Sequence, residues 1–423
     1  MKNKIMIPIL IMVIGLLILF SFLLYSFLQR REVTRINLFS SPLDIDTTIK
    51  QTKLFEERNP NIRINIITVP QDTDEQHDFF VKQLSSKSPT VDVFSGDVVW
   101  PAEFISNKWI LPVTDYLSKE EQEKYLKGPM NSCRGDDGEI YCIPSFTDAG
   151  VLYYRKDLLE ENGLNPPKTW DNLLKISSQL SSKYKDLKGF VFQADSYEGL
   201  ICNFLEYVWG NNGSIQKEGK FVAVSPQNEE ALQFMVDIIH EYKITPPEVT
   251  LFQEEESRKY FQDGKSVFLR NWPYVWGKIK GTELEGKVEV IPMVHNNNSE
   301  SAATLGGWNI MINRFTDSPE ASIKLAKFLG GWEAQKIKAI NNGNLPTLKD
   351  LYGDEEVLKA NPFFSVMYDV LIHAQSRPIL KGYREVSTIF QKYIHQALTL
   401  KISPKIALEI IQKEIDIFQA KKQ

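Results

Sequence analysis

Three aspartates stand at positions where their carboxylates could bind a polar ligand. Asp44 and Asp97 each follow a predicted strand, and Asp148 lies in a short polar segment between two strand-like runs. In doubly wound α/β proteins, ligands bind beyond the carboxyl ends of the strands. Carboxylates accept hydrogen bonds from hydroxyl groups, which suits a neutral polyol. Helix capping explains Asp44 and Asp97 equally well, and a solvated loop residue explains Asp148.

Tryptophans accompany these aspartates in two further segments. Trp272 lies in the sequence RNWPYVWG, and Trp308 directly follows the pair Gly306-Gly307. The flat face of an aromatic ring suits the apolar side of a sugar ring, and paired glycines let the backbone approach a ligand closely. Core packing of the aromatic residues, with a bulged strand at Trp308, is the alternative interpretation.

Strands and helices alternate along the chain in the order needed to position these residues. The hydrophobic pattern predicts strands at residues 35–39, 62–67 and 91–94, with helices between them. This order is typical of a doubly wound α/β sheet. Because a chain of 423 residues is longer than one hydrophobic core usually serves, two lobes are expected.

The composition argues against several classes of function. A formal net charge of -5 without a long basic run argues against nucleic acid as a partner. The three cysteines and five histidines show no close pairing, so no metal site is predicted. The sequence contains no glycine-rich loop of the phosphate-binding kind, and no cofactor is expected.

The N-terminus differs from the rest of the chain. The stretch from Ile5 to Leu28 carries no charged side chain, and it is long enough to cross a hydrocarbon core of ~30 Å as a helix. It ends without a small-residue cleavage pattern, and no cysteine lies near it to carry a lipid. We therefore expect an uncleaved membrane anchor, and an atypical cleaved signal is the alternative.

Six motifs, taken in order, resemble the extracellular solute-binding proteins that deliver sugars to ABC importers, in particular the members that bind trehalose and maltose. The motifs are GEIYCIPSFTDAGVLYYRKD (138–157), FLEYVWGNNGS (204–214), ALQFMVDIIHEYKITPP (231–247), RNWPYVWG (270–277), SAATLGGWNI (301–310) and SRPIL (376–380). The resemblance extends from about residue 36 to the C-terminus.

The resemblance implies an α/β, two-lobed periplasmic-binding-protein fold of type II, maltose-binding-protein-like, preceded by one N-terminal transmembrane or signal helix. Residues 1–32 would be the anchor or signal, 33–147 and 293–331 the first lobe, and 148–292 and 332–423 the second. The chain would cross between the lobes near residues 145–151, 291–293 and 331. Such lobes close like a hinge around a ligand in the cleft between them.

The resemblance also implies a function. The protein would be a substrate-binding protein that captures a small α-glucoside (trehalose, maltose, sucrose or glucosylglycerol) and delivers it to the permease subunits of an ABC transporter. It would be a monomer without enzymatic activity, periplasmic or extracellular, and tethered to the outer face of the cytoplasmic membrane. A carboxylate-dependent glycoside hydrolase is the alternative, and a peptide-binding or adhesion module is a third class.

Positions that match the family's motifs imply the sugar contacts. They are Asp44, Asp97, Asp148, Trp272, Gly307, Trp308, Arg377 and Tyr383. Asp44 stands where the family uses a glutamate, and Phe146 stands where it uses a tyrosine, which leaves the second ring of the ligand open. Arg377 is expected to serve the cleft rather than the core, so its loss should leave the stability of the ligand-free protein unchanged.

Two of the three cysteines are predicted to form a disulfide. Asp137-Gly138 is the sequence of a two-residue type I′ turn, which would place Cys133 directly opposite Cys142. The bond is expected because the lobes should face an oxidising compartment, and Cys202 should stay free.

Overall fold

The computed structural model of the protein describes residues 14–15, 20–21, 33–217, 220–378 and 382–422, without the side chains of residues 369, 372 and 422. Apart from residues 14–15 and 20–21, the predicted anchor from Ile5 to Leu28 lies outside the described residues. Within the described ranges, the structure has no helix with the length and apolar character needed to span a membrane.

Strands and helices alternate through most of the described chain. The strands are β1 (Thr34–Ser40), β2 (Ile62–Thr68), β3 (Val93–Asp97), β4 (Cys142–Ala149), β5 (Val151–Arg155), β6 (Lys188–Val191), β7 (Gln216–Lys217), β8 (Lys220–Phe221), β9 (Ser266–Asn271), β10 (Val288–Pro292), β11 (Thr304–Ile312), β12 (Leu345–Pro346) and β13 (Gln375–Ser376). The strands predicted first are confirmed as β1, β2 and β3.

Helices connect most of the strands along the chain. They are α1 (Ile45–Arg58), α2 (Thr73–Ser85), α3 (Pro101–Ser106), α4 (Lys119–Lys124), α5 (Lys127–Ser132), α6 (Lys156–Glu161), α7 (Trp170–Lys183), α8 (Glu198–Trp209), α9 (Pro226–His240), α10 (Glu254–Gln262), α11 (Val275–Ile279), α12 (Pro319–Leu329), α13 (Trp332–Asn342), α14 (Glu355–Ala360), α15 (Phe364–His373), α16 (Tyr383–Leu398) and α17 (Pro404–Lys422). Short 3₁₀ turns cover Pro42–Asp44, Thr114–Tyr116, Pro247–Leu251 and Lys349–Gly353.

Two main sheets form the frame of the two lobes. A seven-stranded sheet has the order β12-β4-β11-β3-β1-β2, with β13 paired to β11, and a four-stranded sheet has the order β10-β5-β9-β6. β1 pairs in parallel with β2 and β3. In β1, Ile36 and Leu38 are buried while Arg35 is exposed. Residues two positions apart thus lie on the same face of the sheet, and the residue next to them lies on the opposite face.

The chain passes between the two sheets near two of the three predicted crossings, those at residues 145–151 and 291–293. β4 belongs to the seven-stranded sheet and β5 to the four-stranded one, so the first crossing is at Gly150. The return lies between β10 and β11. The lobe boundaries themselves stay a prediction, and two short strands beyond residue 331, β12 and β13, pair within the seven-stranded sheet.

The predicted polar loop at residues 145–150 is wrong. Residues up to Ala149 belong to β4, which is buried along its whole length. The reason is tertiary, because β4 pairs with β11 on one side and with β12 on the other. Polar residues such as Thr147 and Asp148 therefore lie in the interior of a sheet, where pattern reasoning expects apolar ones.

The hairpin that carries two of the cysteines has a longer loop than predicted. The Gly135 amide donates to the Glu139 carbonyl at 2.9 Å, and the Gly138 amide donates to the Gly135 carbonyl at 2.9 Å. Three residues thus form the loop, and Gly138 adopts a φ of 83°, which favours glycine. The two-residue turn was the wrong choice, and the register shifts by one position.

The shifted register still brings the cysteines together. The Tyr141 amide donates to the Cys133 carbonyl at 2.8 Å, so Cys142 lies one position beyond the direct partner of Cys133. The Cα atoms of Cys133 and Cys142 are 5.0 Å apart, at disulfide distance. Cys202 is free and buried.

We expect one reactive thiol per chain when the protein from its native compartment is unfolded without reductant. Cys202 supplies that thiol, because Cys133 and Cys142 lie at bonding distance. Counting thiols with a chromogenic reagent before and after reduction should give one and then three. Three thiols before reduction would show that the disulfide does not form.

Candidate functional site

A cleft opens between the two sheets and takes residues from both. It encloses about 1050 Å³ with its open mouth included. Seven of the eight predicted site residues line it, namely Asp44, Asp97, Asp148, Trp272, Gly307, Trp308 and Arg377. Tyr383 is buried behind the wall of the cleft and does not line it.

Strand directions explain why the predicted residues converge. β11 runs antiparallel to both β3 and β4, so these two strands point the same way and end at the same edge. Asp97 closes β3, and Asp148 is next to last in β4. Trp308 lies opposite Asp97, and Gly306 lies opposite Asp148. The ends of β3 and β4 thus bring Asp97 and Asp148 to the same edge of the sheet.

The two glycines before Trp308 have backbone reasons of their own. Gly307 has a φ of 127°, and a Cβ there would lie 2.6 Å from the Phe146 carbonyl oxygen. At Gly306 a Cβ would lie 3.1 Å from the ring of Trp272. A β-bulge follows at Trp308, as the alternative interpretation of this segment anticipated. The pair therefore lets β11 pack tightly while Trp272 covers it.

Asp148 is the carboxylate that lacks a partner. The residue is buried, and its Oδ1 has no hydrogen-bond partner among the described residues. Burial raises the pKa of Asp148 well above its usual value, and the Lys338 ammonium opposes this while the Asp44 carboxylate adds to it. A hydroxyl donor from a ligand would satisfy this oxygen and favour the ionised form.

Asp44 is held differently. Its Oδ2 accepts from the Lys338 ammonium at 2.7 Å, and its Oδ1 accepts from the Asn342 amide at 2.7 Å. It makes no capping hydrogen bond to α1, so the helix-cap interpretation is wrong for this residue. Both partners lie on α13, and the ammonium of Lys338 balances the charge of the Asp44 carboxylate at the cleft.

A buried network surrounds Arg377, which is 2% exposed. Its Nη2 donates to Asp97 Oδ1 at 2.6 Å, and its Nη1 donates to Glu198 Oε1 at 2.7 Å. The Tyr383 hydroxyl donates to the same Glu198 oxygen at 2.6 Å. Asp97 also accepts from the Val99 amide at 3.1 Å, but α3 begins at Pro101 with Trp100 before it and no side-chain cap, so the helix-cap interpretation is wrong for Asp97 too. Arg377 thus both lines the cleft and joins two buried carboxylates.

Other residues that line the cleft are not predicted from the sequence. Among them are Glu198, Glu254, Asn342 and Asn344. Glu198 opens α8 after β6, so the strand-end rule that pointed to Asp97 would have found it in the second sheet. Asn344 Oδ1 is buried without a partner, like Asp148 Oδ1. Both oxygens are acceptors that a ligand with hydroxyl groups could use.

The aromatic residues divide between the cleft and the core. Trp272 has the Arg270 guanidinium 4.2 Å from its ring centre, and its Nε1 donates to Glu254 at 3.2 Å. Trp308 meets Trp100 edge to face at 5.4 Å between ring centres. Trp276 does not line the cleft but packs 5.0 Å from Phe363. Core packing is therefore the right interpretation for Trp276, whereas Trp272 and Trp308 line the cleft and Trp308 also packs against the core.

In the part of the chain that the structure describes, no group of His, Cys, Asp and Glu is arranged to hold a metal ion. Asp44, Asp97 and Glu198 are instead matched by cations of the protein, Glu254 accepts from the Trp272 indole, and Asp148 Oδ1 has no partner among the described residues. This donor set suits hydrogen bonding to a neutral ligand.

Comparison with known sequences decides the family. The family model described as "Bacterial extracellular solute-binding protein" matches residues 44–336. The chain belongs to this family. One relative, a "Probable ABC transporter-binding protein" of Deinococcus radiodurans, is 34% identical over 365 residues, which cover 83% of this chain and 86% of the relative. The family consists of solute-binding receptors of ABC transporters, so the protein is not an enzyme and the hydrolase alternative is wrong.

Solved structures of solute-binding proteins confirm the two-lobed fold. Maltose-bound MalE3 of T. maritima superposes with a TM-score of 0.88 at 39% identity, covering 91% of this chain and all of that one. The GacH receptor of Streptomyces glaucescens, solved unliganded and with acarbose, superposes with a TM-score of 0.82 at 20% identity, covering 90% and 97%. Because its identity is only 20%, the match to the GacH receptor is evidence for the fold alone.

Proposed function

We propose that this receptor captures a small α-glucoside in the cleft between its lobes and delivers it to an ABC permease. The candidates are trehalose, maltose, sucrose and glucosylglycerol. The observation that carries the proposal is the buried, unpartnered oxygen of Asp148 in a cleft walled by Trp272 and Trp308. The maltose bound to MalE3, a relative of 39% identity, supports the same ligand class.

The charges of the cleft favour a neutral ligand. Asp44 is paired with Lys338, and Asp97 and Glu198 share Arg377. A charged ligand would have to break one of these pairs or stay unbalanced in a buried site, which is costly. A sugar offers hydroxyl groups that donate to Asp148 and Asn344 and accept from Arg377, whose Nε is buried without a partner.

The proposed sugar contacts are the residues that the family resemblance implies, with one change of role. Asp44, Asp97, Asp148, Trp272, Gly307, Trp308 and Arg377 line the cleft. Tyr383 would act through Glu198, to which its hydroxyl donates, and so would hold Arg377 in place. The receptor is proposed to work as a monomer that docks on the permease.

Thermal unfolding in the presence of each candidate sugar tests the proposed function. A ligand at one hundred times its Kd should stabilise the folded state by about 2.7 kcal/mol. Mannitol and ribitol, which receptors of this fold are known to hold, serve as controls without a glucose ring. We expect at least one α-glucoside to raise Tm while both linear polyols leave it unchanged. A rise with the polyols alone would overturn the proposed ligand class.

We also propose that residues 5–28 stay attached as a membrane anchor that tethers the lobes outside the cytoplasmic membrane. The support is the uncharged run of that length in the sequence. We expect N-terminal sequencing of protein from native membranes to begin at or near Met1. A mature start near residues 30–34 in a soluble fraction would show a cleaved signal instead.

A further inference from the structure

Asp74 lies outside the cleft, where α2 of the first lobe meets α16 of the second. Its Oδ2 is 3.2 Å from Arg384 Nη1 and accepts from the Gln391 side-chain amide at 3.0 Å. Phe80 of α2 stacks on Phe94 of β3 in the seven-stranded sheet, whereas Phe390 of α16 packs against Phe204 of α8, the helix that follows β6 of the four-stranded sheet. These contacts therefore join the two lobes, and opening the cleft would break them.

The contacts of Asp74 lead back to the cleft through a chain of hydrogen bonds. The Gln391 amide also donates to Ser387 Oγ at 2.9 Å, and Ser387 Oγ in turn donates to Glu198 Oε2. Glu198 holds Arg377, which lines the cleft. The contact between α2 and α16 is thus connected to the cleft wall by buried polar side chains.

We infer that Asp74 is a positioning residue for ligand capture, which never touches the ligand but sets its affinity by fastening the closed lobes through Arg384 and Gln391. The inference rests on the proposed function, because it takes the cleft as the site that closes. It is supported by a property of the carboxyl that a merely structural contact would lack.

Closure places Asp74 in a crowded acidic environment. Its pKa is raised to about 7, mainly by burial and further by the carboxylates of Glu198 and Asp72, while Arg384 opposes the rise. The other titratable groups nearby come from both lobes. They are Asp78 and His77 on α2 itself, Glu103 on α3 and Tyr383 on α16.

The neighbouring histidine does not report closure in the same way. His77 Nε2 lies 2.8 Å from Glu103 Oε2, and both residues belong to the first lobe. Opening the cleft leaves that pair intact, although His77 also loses the charge of Arg384, which acts on it in the closed state. Asp74, by contrast, loses Arg384, Gln391 and the nearby Glu198 at once, because all three lie on helices of the second lobe.

The sign of the pH effect follows from the two states. With the lobes open, Asp74 returns to water and to an ordinary pKa of about 3.9. With the lobes closed the pKa is about 7, so closing takes up a proton between these values. Closure is therefore favoured below pH 7 and weakened above it. If Asp74 is the group whose pKa changes on closure, the Kd of the glucoside at pH 8 should be about ten times its Kd at pH 6.

Calorimetric titration at pH 6 and pH 8 with the glucoside that raises Tm most tests the inference. The variants are Asp74→Asn, which keeps the shape without the charge, and Glu75→Gln, an exposed carboxylate one position along α2. We expect about a tenfold difference in Kd for the wild type and for Glu75→Gln, and no difference for Asp74→Asn. A tenfold difference that persists in Asp74→Asn would overturn the inference.

A ligand-free measurement separates this inference from the proposed function. If no glucoside binds the wild type, the proposed function fails, and small-angle scattering then decides about Asp74. A radius of gyration that grows from pH 6 to pH 8 in the wild type but not in Asp74→Asn supports the inference. An identical response in both proteins overturns it. Equal Tm values at pH 6 would show that the variant is folded.

Discussion

Asp148→Asn should bind its glucoside more weakly and yet be more stable without ligand than the wild type. A hydrogen bond to a charged acceptor contributes ~1.5–3 kcal/mol, which corresponds to roughly a 10- to 150-fold rise in Kd. The gain in stability arises because the substitution removes a buried charge. Asp148 is buried with one oxygen unpartnered, and the neutral amide avoids the cost of burying that charge.

The stability gain of Asp148→Asn should depend on pH with a definite sign. Because burial raises the pKa of Asp148 in the folded protein, the native carboxyl binds its proton more tightly than the unfolded chain does. The wild type therefore loses stability as pH rises from about 3.9, the ordinary aspartate value, through the raised folded pKa. The advantage of Asp148→Asn should be absent well below pH 4 and grow above it, as urea unfolding at several pH values would show.

Asp44→Asn is the matched control, because it makes the same substitution at another carboxylate that lines the cleft. Asp44 already accepts from Lys338 and Asn342, so neutralising it leaves the Lys338 ammonium without its carboxylate. This variant should lose stability where Asp148→Asn gains it. An unchanged affinity of Asp148→Asn would contradict the proposal that Asp148 binds the ligand. A reduced stability of the same variant would show that the carboxylate stabilises the fold.

Arg377→Ala should lose both stability and ligand affinity. Removing one partner of a buried ion pair costs about 3–5 kcal/mol, and here Asp97 and Glu198 would both stay buried without their cation. The sequence alone led us to expect no change in the ligand-free protein, and the contacts of the guanidinium reverse that prediction. The fraction that folds should still bind its glucoside roughly 10- to 150-fold more weakly than the wild type.

Urea unfolding and calorimetry on the same preparations measure the two effects of Arg377→Ala. Arg58→Ala is the control, because its ion pair with Glu333 is exposed to solvent and should contribute little. Arg377→Lys keeps the charge without the planar fork and should fall between the wild type and alanine. An alanine variant as stable as the wild type would mean that the network is not formed in solution. A destabilised alanine variant with normal affinity would show that Arg377 does not contact the sugar.

The sequence predicted those parts of the site that follow from local pattern. Strand ends are visible in the alternation of apolar residues, so the position of Asp97 after a predicted strand was enough to place it at the ligand edge. The glycines before Trp308 could be read as a close approach of backbone. Ordered motifs then extended the prediction to Asp148 and Arg377, which no periodicity singles out.

The partners of these residues could not be predicted. Arg377 and Asp97 are 280 positions apart in the chain, and Lys338 and Asp44 are 294 apart. Nothing in a local pattern shows which charges meet over such distances along the chain, so the sequence could not distinguish an arginine free for sugar from one that also fastens the fold. The hairpin before Cys142 shows the same limit on a small scale, since a loop of two or three residues fits its sequence equally well.

Isothermal titration of the wild-type protein with trehalose, maltose, sucrose and glucosylglycerol tests the central claim most directly. The claim is that the cleft captures a small neutral α-glucoside through the free oxygen of Asp148. We predict saturable binding of at least one of the four, at one sugar per chain, with a Kd that rises in Asp148→Asn. Absence of binding heat from all four sugars, in a protein shown to be folded, would contradict the claim.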